Sequence, residues 1–390
     1  MSEFVTFIFY MVVIIVAAFI SKTAYMKRNH KYKKILILFS ILMLAIVAGI
    51  RFEVGSDWLQ YYRAPELFDV EGIRGTKGDY ELGYRCIAFL VRFFNLDGSF
   101  FLFLYAFITY FFLFRVFDKF ASKINIFATV FMYGCLYYLV SFNITRQALS
   151  ISIAMYAITL SSVNIVREDG SNKSLLGLIK QNTKFLIWVA IAFLFHKGSA
   201  ICVLALPICY FMRKKNTIRI GMLIVSVLAV MNFKLFMQLA IKIMGSYDFQ
   251  WYFIAGLGGD GSWLKFILRY LPFLIVIWLS YKNLSKDHKM FDLYNLTLIG
   301  LIINSLSLVV ATDIERVGFP FLYFLVIVTG YAMKTVNYSG SIAGVRLRIP
   351  VWFYKLFNLF LYLFMIWTMW YIFFAQRSYG VVPYQTIFSK

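Results

Sequence analysis

Three arginines stand at the ends of apolar stretches, where a side chain can meet the charged part of a lipid. Arg51 ends one stretch, and Arg146 and Arg316 each open another. Arginine presents a planar, charged set of N–H donors that suits phosphate oxygens, and a helix N-terminus adds free backbone N–H groups. Together the three arginines predict a site for a lipid-linked phosphate or diphosphate. The alternative is that they only reach toward lipid headgroups.

Three further side chains could transfer a proton: Asp57, Glu81 and His196. A carboxylate or an imidazole can activate a hydroxyl as a general base. Gly55 permits a tight turn just before Asp57, and His196 stands at a short polar junction between two apolar runs. The residues alone leave the choice among the three open. A helix-end histidine bonded only to backbone is the alternative interpretation of His196.

Aromatic residues gather in the same polar region. Trp58, Tyr61, Tyr62 and Tyr80 offer flat faces with polar edges that suit sugar rings, although an aromatic belt at the membrane surface is the alternative. The region 51–85 also holds seven of the 18 acidic residues of the chain. Charge this dense beside a bilayer indicates contact with water, another polar group or a substrate.

The elements that must position these side chains are membrane helices. Of the 390 residues, 62% are hydrophobic and the mean hydropathy is +0.76, against about 45–50% apolar residues in soluble domains. We therefore predict an all-α polytopic membrane protein in which residues 1–390 form a single membrane domain. Apolar runs long enough to cross the bilayer predict about twelve transmembrane helices, at roughly 4–20, 35–50, 99–117, 124–142, 146–166, 183–196, 198–212, 218–232, 262–281, 291–311, 316–334 and 349–375.

A thirteenth segment, 82–95, is predicted to be a helix that does not cross. Glu81, Arg85 and Arg92 fall within about 40° of one another on a helical wheel, and the rest of the segment is apolar. A helix with one charged stripe lies in the interface or dips partway into the membrane.

The distribution of charge predicts which loops share a side. With twelve spans and 82–95 not crossing, six loops fall on one side and carry 23 of the 39 Lys and Arg residues. Short loops rich in these residues stay in the cytoplasm, so the net charge of +21 indicates topology and not nucleic-acid binding. The outer face then receives both chain ends, the external loop at about 51–98 and the polar groups at 143–147, 196–199, 247–261 and 312–316.

Taken in chain order, these residues resemble the EpsG family, Wzy-like polymerases of bacterial exopolysaccharide, capsule and O-antigen. The resemblance spans roughly residues 45–335, and Trp58 stands where tyrosine is the more usual family residue. The motifs that carry it are Arg51-Phe-Glu-Val-Gly55-Ser-Asp57-Trp58 with Tyr61 and Tyr62, Glu81-Leu-Gly83-Tyr84, Asn143-Ile-Thr-Arg146-Gln147-Ala, Phe195-His196-Lys-Gly-Ser and Glu315-Arg316.

The resemblance implies a glycosyltransferase at the outer face of the bacterial inner membrane. Its substrates would be undecaprenyl-diphosphate-linked oligosaccharide and polysaccharide, with the growing chain passed to the non-reducing end of a new lipid-linked repeat unit. A chain-length regulator is a further expected partner. By role, the implied residues are Asp57, Glu81 and His196 for catalysis, Arg51, Arg146 and Arg316 for the lipid diphosphate, and Trp58, Tyr61, Tyr62, Tyr84 and Gln147 for sugar.

Two other functions share some of these features. An O-antigen ligase would use similar arginine and histidine chemistry, but we expect its main external loop late in the chain, whereas the dense polar loop here comes early. A flippase or transporter for lipid-linked sugars predicts charges along the middle of the spans and internal repeats, and the sequence shows neither. No metal-ligand spacing occurs, and of the four scattered cysteines Cys202 and Cys209, seven apart in an apolar run, are predicted to be small core residues. We predict neither a metal nor a cofactor.

Overall fold

In the computed structural model, helices follow one another along nearly the whole chain. The structure describes residues 1–27, 29–67, 80–161, 175–214, 216–232, 263–308, 314–336, 339–342, 345–348 and 350–389. The first eight helices are α1 (Glu3–Met26), α2 (His30–Gly49), α3 (Trp58–Tyr62), α4 (Ala64–Leu67), α5 (Leu82–Phe93), α6 (Gly98–Phe120), α7 (Ile126–Tyr133) and α8 (Thr145–Leu160). A π-helical turn, Gly134–Tyr138, and a 3-10 turn, Val140–Phe142, prolong α7.

The second half continues in the same way, and the predicted all-α class is confirmed apart from one short antiparallel hairpin among the described residues. Its helices are α9 (Leu175–Gln181), α10 (Thr183–Phe193), α11 (Ala205–Lys214), α12 (Asn216–Met231), α13 (Trp263–Leu279), α14 (Tyr281–Leu284), α15 (His288–Asn304), α16 (Phe319–Leu322), α17 (Leu325–Thr335) and α18 (Val351–Trp370). The hairpin pairs β1 (Ser339–Ile342) with β2 (Val345–Arg348), Ser339 opposite Arg348. Shorter turns are Lys197–Leu204, Ser305–Leu308, Ile314–Gly318, Tyr371–Ala375, Ser378–Gly380 and Ile387–Ser389.

Polar side chains explain where several long helices begin. Ser2, Asn29, Asp97, Asn125 and Asp287 each stand just before a helix and accept a hydrogen bond from a backbone N–H of its first turn. Such a cap stabilises a helix by about 1 kcal/mol. The apolar runs between these caps then supply the length that a membrane requires.

Six helices in the described part of the chain are long and apolar enough to cross a membrane. They are Glu3–Met26, His30–Gly49, Gly98–Phe120, His288–Leu308, Arg316–Thr335 and Trp352–Ala375. Four more apolar helices are shorter, and the predicted number of about twelve crossings is not confirmed. Two of the predicted spans are not continuous α-helix: the run 124–142 becomes α7 with two irregular turns, and 198–212 becomes a 3-10 turn followed by α11.

The helix predicted near 82–95 is α5, whose 12 residues are too few to span a bilayer. The expected stripe of three charges is wrong in one respect. Glu81 precedes the helix with an extended backbone, φ −64° and ψ 149°, and its side chain turns inward, whereas Arg85 is half-buried and Arg92 is exposed. A residue outside the helix does not follow its 100° periodicity, so the wheel misplaced Glu81.

Two contacts each join chain segments that the charge distribution assigns to the same side of the membrane. At one end of α2, Lys33 pairs with Asp118 at 2.7 Å. Past its other end, Arg51 donates to the carbonyl of Phe142 at 2.9 Å. The 20 residues of α2 rise about 1.5 Å each, so these two groups of loops lie at opposite ends of the bundle.

The centre of the bundle is the segment that contains α17. In the apolar 18-residue stretch of Arg316–Thr335, 89% of the residues are buried, whereas in that of Trp352–Ala375 only 33% are buried. The helix α18 is therefore peripheral, and its exposed aromatic side chains suit contact with lipid. The central helix begins at the end of the molecule where the predicted site residues meet.

Candidate active site

A buried carboxylate, Glu81, joins two of the other predicted site residues. Its Oε2 accepts a hydrogen bond from Nη1 of Arg146 at 2.8 Å, and its Oε1 lies 3.1 Å from Nδ1 of His196. The backbone N–H of Lys197 donates to the same Oε1 at 3.2 Å. The Glu81 side chain is 6% exposed, whereas those of Arg146 and His196 are 22% and 31% exposed. These three residues, here called the Glu81 cluster, form an ion-paired group that a ligand can reach.

Gly83 explains how Glu81 comes against His196. The Gly83 N–H donates to the carbonyl of Leu194 at 2.7 Å, so the start of α5 lies against the residues that follow α10. A Cβ at Gly83 would stand 2.8 Å from that oxygen and 2.8 Å from the ring of Phe195. Only glycine permits this approach, which gives the Glu81-Leu-Gly83 and Phe195-His196 motifs a shared physical reason.

Arg146 is held on two sides before any ligand binds. Its guanidinium carbon lies 5.0 Å from the ring centroid of Tyr80 and 5.4 Å from that of Tyr84, and the two rings stack on each other at 5.3 Å. Cation–π contact and the ion pair with Glu81 both restrict the side chain. An arginine fixed in this way binds an anion with little further loss of side-chain entropy.

The surroundings of Glu81 keep it ionised. Burial by itself would raise the pKa of this carboxyl, but hydrogen bonds from His196 and from backbone, together with the charge of Arg146, lower the pKa from 4.5 to about 2. A group with so low a pKa accepts a proton poorly near neutral pH. Glu81 is therefore better suited to hold His196 and Arg146 than to act as the base.

The contact with Glu81 also determines which nitrogen of His196 is available. Beside an ionised carboxylate, Nδ1 carries the proton and donates it, which leaves Nε2 as the acceptor. Within the described part of the chain, no protein group hydrogen-bonds to Nε2. His196 is thus arranged as a carboxylate–histidine pair, with Nε2 able to take a proton from a bound hydroxyl.

The lowered pKa of Glu81 predicts a pH-dependent stability. Because the pKa falls from 4.5 to about 2 on folding, the contribution of the carboxylate is complete above about pH 4.5 and is lost as the pH approaches 2. The Glu81→Gln variant lacks this contribution. Its deficit in melting temperature relative to the wild type should shrink as the pH falls from about 4.5 toward 2. Thermal unfolding in detergent measures this, and a deficit that grows as the pH falls below 4.5 would contradict the assignment.

Arg51 lies inside the protein and not at the surface of the cluster. It is 2% exposed, and its Nη1 and Nη2 donate to the carbonyls of Ala48 and Phe142 at 2.8 and 2.9 Å. The guanidinium also lies 4.5 Å from the ring centroid of Phe142. Both carbonyls belong to the last turns of helical segments, where such groups lack helix partners and carry negative partial charge. Arg51 joins two helix ends, and a substrate phosphate does not reach it in this structure.

Several predicted sugar-binding rings are packed inside as well. Trp58, Tyr61 and Tyr84 are 5%, 4% and 1% exposed, and the indole N–H of Trp58 and the hydroxyl of Tyr61 donate to backbone carbonyls. None of these three rings presents a face to a ligand. Tyr62 and Tyr80 are half-buried, so they are the aromatic candidates that a sugar can reach.

Gln147 brings Arg316 beside the cluster. Its Nε2 donates to the carbonyl of Arg316 at 2.8 Å, which places the turn Ile314–Gly318 against the start of α8. The side chain of Arg316 is half-buried. The predicted outer groups Thr312, Asp313 and 247–261 lie outside the described residues.

Asp57 stands just before α3 and is half-buried. Burial raises the pKa of the nearby Tyr61 hydroxyl, and Asp57 raises it further. Arg146 lowers this pKa, but the effect of burial is larger. Tyr61 therefore stays neutral, and both Asp57 and Arg146 are close enough to influence it electrostatically. Among the described residues, no three His, Cys, Asp or Glu side chains lie together as metal ligands would.

The residue whose role sequence reasoning missed is Gly83, which positions Glu81 through its contact with Leu194. The sequence did contain a signal for this role of Gly83. Glycine in the first turn of an amphipathic helix costs about 1 kcal/mol relative to alanine, and such a glycine often marks a close backbone approach.

The helical bundle and the charged cluster between its helix ends define a polytopic membrane protein with a site suited to an anionic ligand and to proton transfer. Comparison with protein families matches residues 34–386 to the EpsG family. The chain therefore belongs to the EpsG family, a family of Wzy-like polymerases, and the resemblance carried by the motifs is confirmed over nearly the whole chain. No curated protein and no solved structure matches it.

Proposed function

We propose that this protein is a polysaccharide polymerase at the outer face of the bacterial inner membrane. It transfers a growing undecaprenyl-diphosphate-linked glycan onto the non-reducing end of a new lipid-linked repeat unit. The observation that carries the proposal is the Glu81 cluster, in which Nε2 of His196 is available beside a fixed, partly exposed Arg146. Membership of a family of Wzy-like polymerases supports the same function.

In this proposal His196 is the base. The acceptor hydroxyl gives its proton to Nε2 as its oxygen bonds to the anomeric carbon of the donor sugar. Glu81 accepts the Nδ1 hydrogen bond, so it keeps the ring in the required tautomer and stabilises the imidazolium that forms. Such proton transfer contributes about 10²- to 10⁴-fold to a rate.

The leaving group is the lipid diphosphate, and cations stabilise it. As the bond between the anomeric carbon and the phosphate oxygen breaks, the electron pair goes to the diphosphate. In this proposal the guanidinium N–H groups of Arg146 that bond neither Glu81 nor Tyr61, together with Arg316, face this developing charge, which is where fixed donors lower a barrier most. The proton on His196 then passes to water, and the free base is restored.

Deleting the gene and separating the surface polysaccharide on a gel tests this function. A product of single repeat units, with long chains restored by the wild-type gene, is the expected result. Lipid-linked polymer that accumulates without transfer to its final acceptor would indicate a ligase instead. Repeat units retained on the cytoplasmic side would indicate a flippase.

The Gly83→Ala variant is expected to lower polymer formation by about 10- to 100-fold, since a displacement of about 1 Å in a catalytic group can have that effect. The added Cβ would collide with the carbonyl of Leu194 and move Glu81 away from His196. The matched control is Gly221→Ala, because no atom lies within 4 Å of a Cβ at Gly221. Polymer yield at equal protein level is the measurement, and equal yields from both variants would refute the role of Gly83.

A further inference from the structure

The segment that follows the last helix turns back over the motif that begins at Arg51. A β-bridge joins Arg51 to Thr386, and backbone hydrogen bonds of 3.0 Å flank it on both sides. Farther along, the N–H of Gly55 donates to the carbonyl of Gly380 at 2.8 Å. Residues 376–387, here called the return segment, thus bind both ends of the sequence 51–56 through backbone groups.

One carbonyl of the return segment connects two motifs that are distant in sequence. The carbonyl of Tyr379 accepts from the N–H of Ser56 at 3.0 Å and from Nδ2 of Asn143 at 2.8 Å. Tyr379 has a φ of 68°, a left-handed conformation that costs a non-glycine residue about 1 kcal/mol or more. Backbone in this region persists where its surroundings hold it, and it often lies near functional sites.

The return segment is itself anchored on the first two helices. The hydroxyl of Tyr10 in α1 donates to the carbonyl of Val381 at 3.0 Å. The N–H of Tyr384 donates to Oγ1 of Thr6 at 3.1 Å, and the Tyr384 hydroxyl donates to the carbonyl of Val47 at 2.8 Å. Tyr10 and Tyr384 are both fully buried. The segment is therefore part of the packed protein.

Asn143 connects the return segment to the Glu81 cluster. It stands three residues before Arg146, and its carbonyl accepts from the Tyr61 hydroxyl at 2.9 Å. A Cβ at Gly55 would lie 2.6 Å from Oδ1 of Asn143, so the Arg51 motif presses against this side chain. Asn143 is enclosed by the motif and the return segment, and a displacement there would shift the start of α8 with Arg146.

We infer that the return segment is a positioning element for the Glu81 cluster. Through the carbonyls of Tyr379 and Gly380 it fixes residues 51–56 and Asn143, and through Asn143 it fixes Arg146. The catalytic part of this inference rests on the proposed function. The part that concerns how the return segment fixes residues 51–56 is independent of the proposed function.

The test is a full-length double variant, Tyr10→Phe with Tyr384→Phe, which removes two anchoring hydroxyls and keeps both rings. Hydrogen–deuterium exchange of the purified protein in lipid nanodiscs should show the amides of Gly55 and Ser56 exchanging about tenfold faster, since their local opening becomes easier. With lipid-linked repeat units, kcat should fall about tenfold, while KM should change by less than about twofold. The matched control, Tyr32→Phe, alters a residue that is 60% exposed and should change neither quantity.

A pair of deletions extends the test. Removing residues from Arg377 onward should abolish polymer formation, whereas removing residues from Phe388 onward should not, because Phe388 is 80% exposed and lies beyond the last of these bonds. Unchanged exchange in the double variant overturns the inference, and so does faster exchange with unchanged kcat. If the wild-type protein forms no polymer, the proposed function fails, while faster exchange would still establish that the segment holds residues 51–56.

Discussion

Replacing His196 by glutamine is expected to lower the rate of polymer formation by about 100- to 10,000-fold, the usual contribution of a general base. Glutamine is similar in size, and its amide can still donate to Oε1 of Glu81, so the ion pair with Arg146 should persist. It has no basic nitrogen to replace Nε2. The measurement is kcat of the purified protein with lipid-linked repeat units, supported by polymer length on a gel.

The matched control is His288→Gln. His288 is exposed, and its carbonyl, which accepts from Arg213 at 2.7 Å, is unaffected by the change of side chain. This variant should form polymer like the wild type. A His196→Gln enzyme that keeps more than about a tenth of the wild-type rate would exclude His196 as the base.

Glu81→Gln belongs to the same experiment because the two residues are proposed to act as a unit. Losing the carboxylate removes the acceptor that fixes the tautomer of His196, and residues that act together show strongly non-additive losses. The double variant should therefore be no slower than the slower single variant. Multiplied losses would mean that Glu81 and His196 contribute independently.

The residues of the Glu81 cluster could be predicted from the sequence, but their pairing could not. Glu81 and His196 were recognisable because charged groups at the edges of apolar runs need a reason to be there. Their contact depends on the backbone bond from Gly83 to Leu194, which joins segments more than 100 residues apart. Nothing in the local pattern specifies that bond.

Trp58, Tyr61 and Tyr84 show a second limit of the sequence. Their residue types suit a sugar face and also suit a packed interface, because an aromatic ring with a polar edge serves both. Burial decides between the two uses, and burial depends on which helices meet. The same holds for the number of membrane crossings, since apolar runs such as 124–142 contain helix breaks that hydropathy does not detect.

The two arginines Arg51 and Arg146 are expected to respond differently to the same substitution. Lysine at position 51 keeps the charge but has one donor atom in place of the two guanidinium nitrogens that bond the carbonyls of Ala48 and Phe142, so we expect it to hold only one of them at hydrogen-bond distance. One buried carbonyl would then lose its partner, at a cost of about 1–3 kcal/mol. Arg51→Lys should therefore lower the melting temperature by a few degrees, and the protein that remains folded should keep most of its kcat.

Arg146→Lys should give the opposite result. Its side chain is 22% exposed, and a lysine can still pair with Glu81, so the melting temperature should stay within about 2 °C of the wild type. The remaining guanidinium N–H donors that face the diphosphate are lost, and kcat should fall by about 10- to 100-fold. Thermal unfolding and kcat measured on the same preparations separate the two roles. A stable Arg51→Lys protein with greatly reduced kcat would contradict this division of roles and would favour the diphosphate site that the position of Arg51 in the sequence suggests.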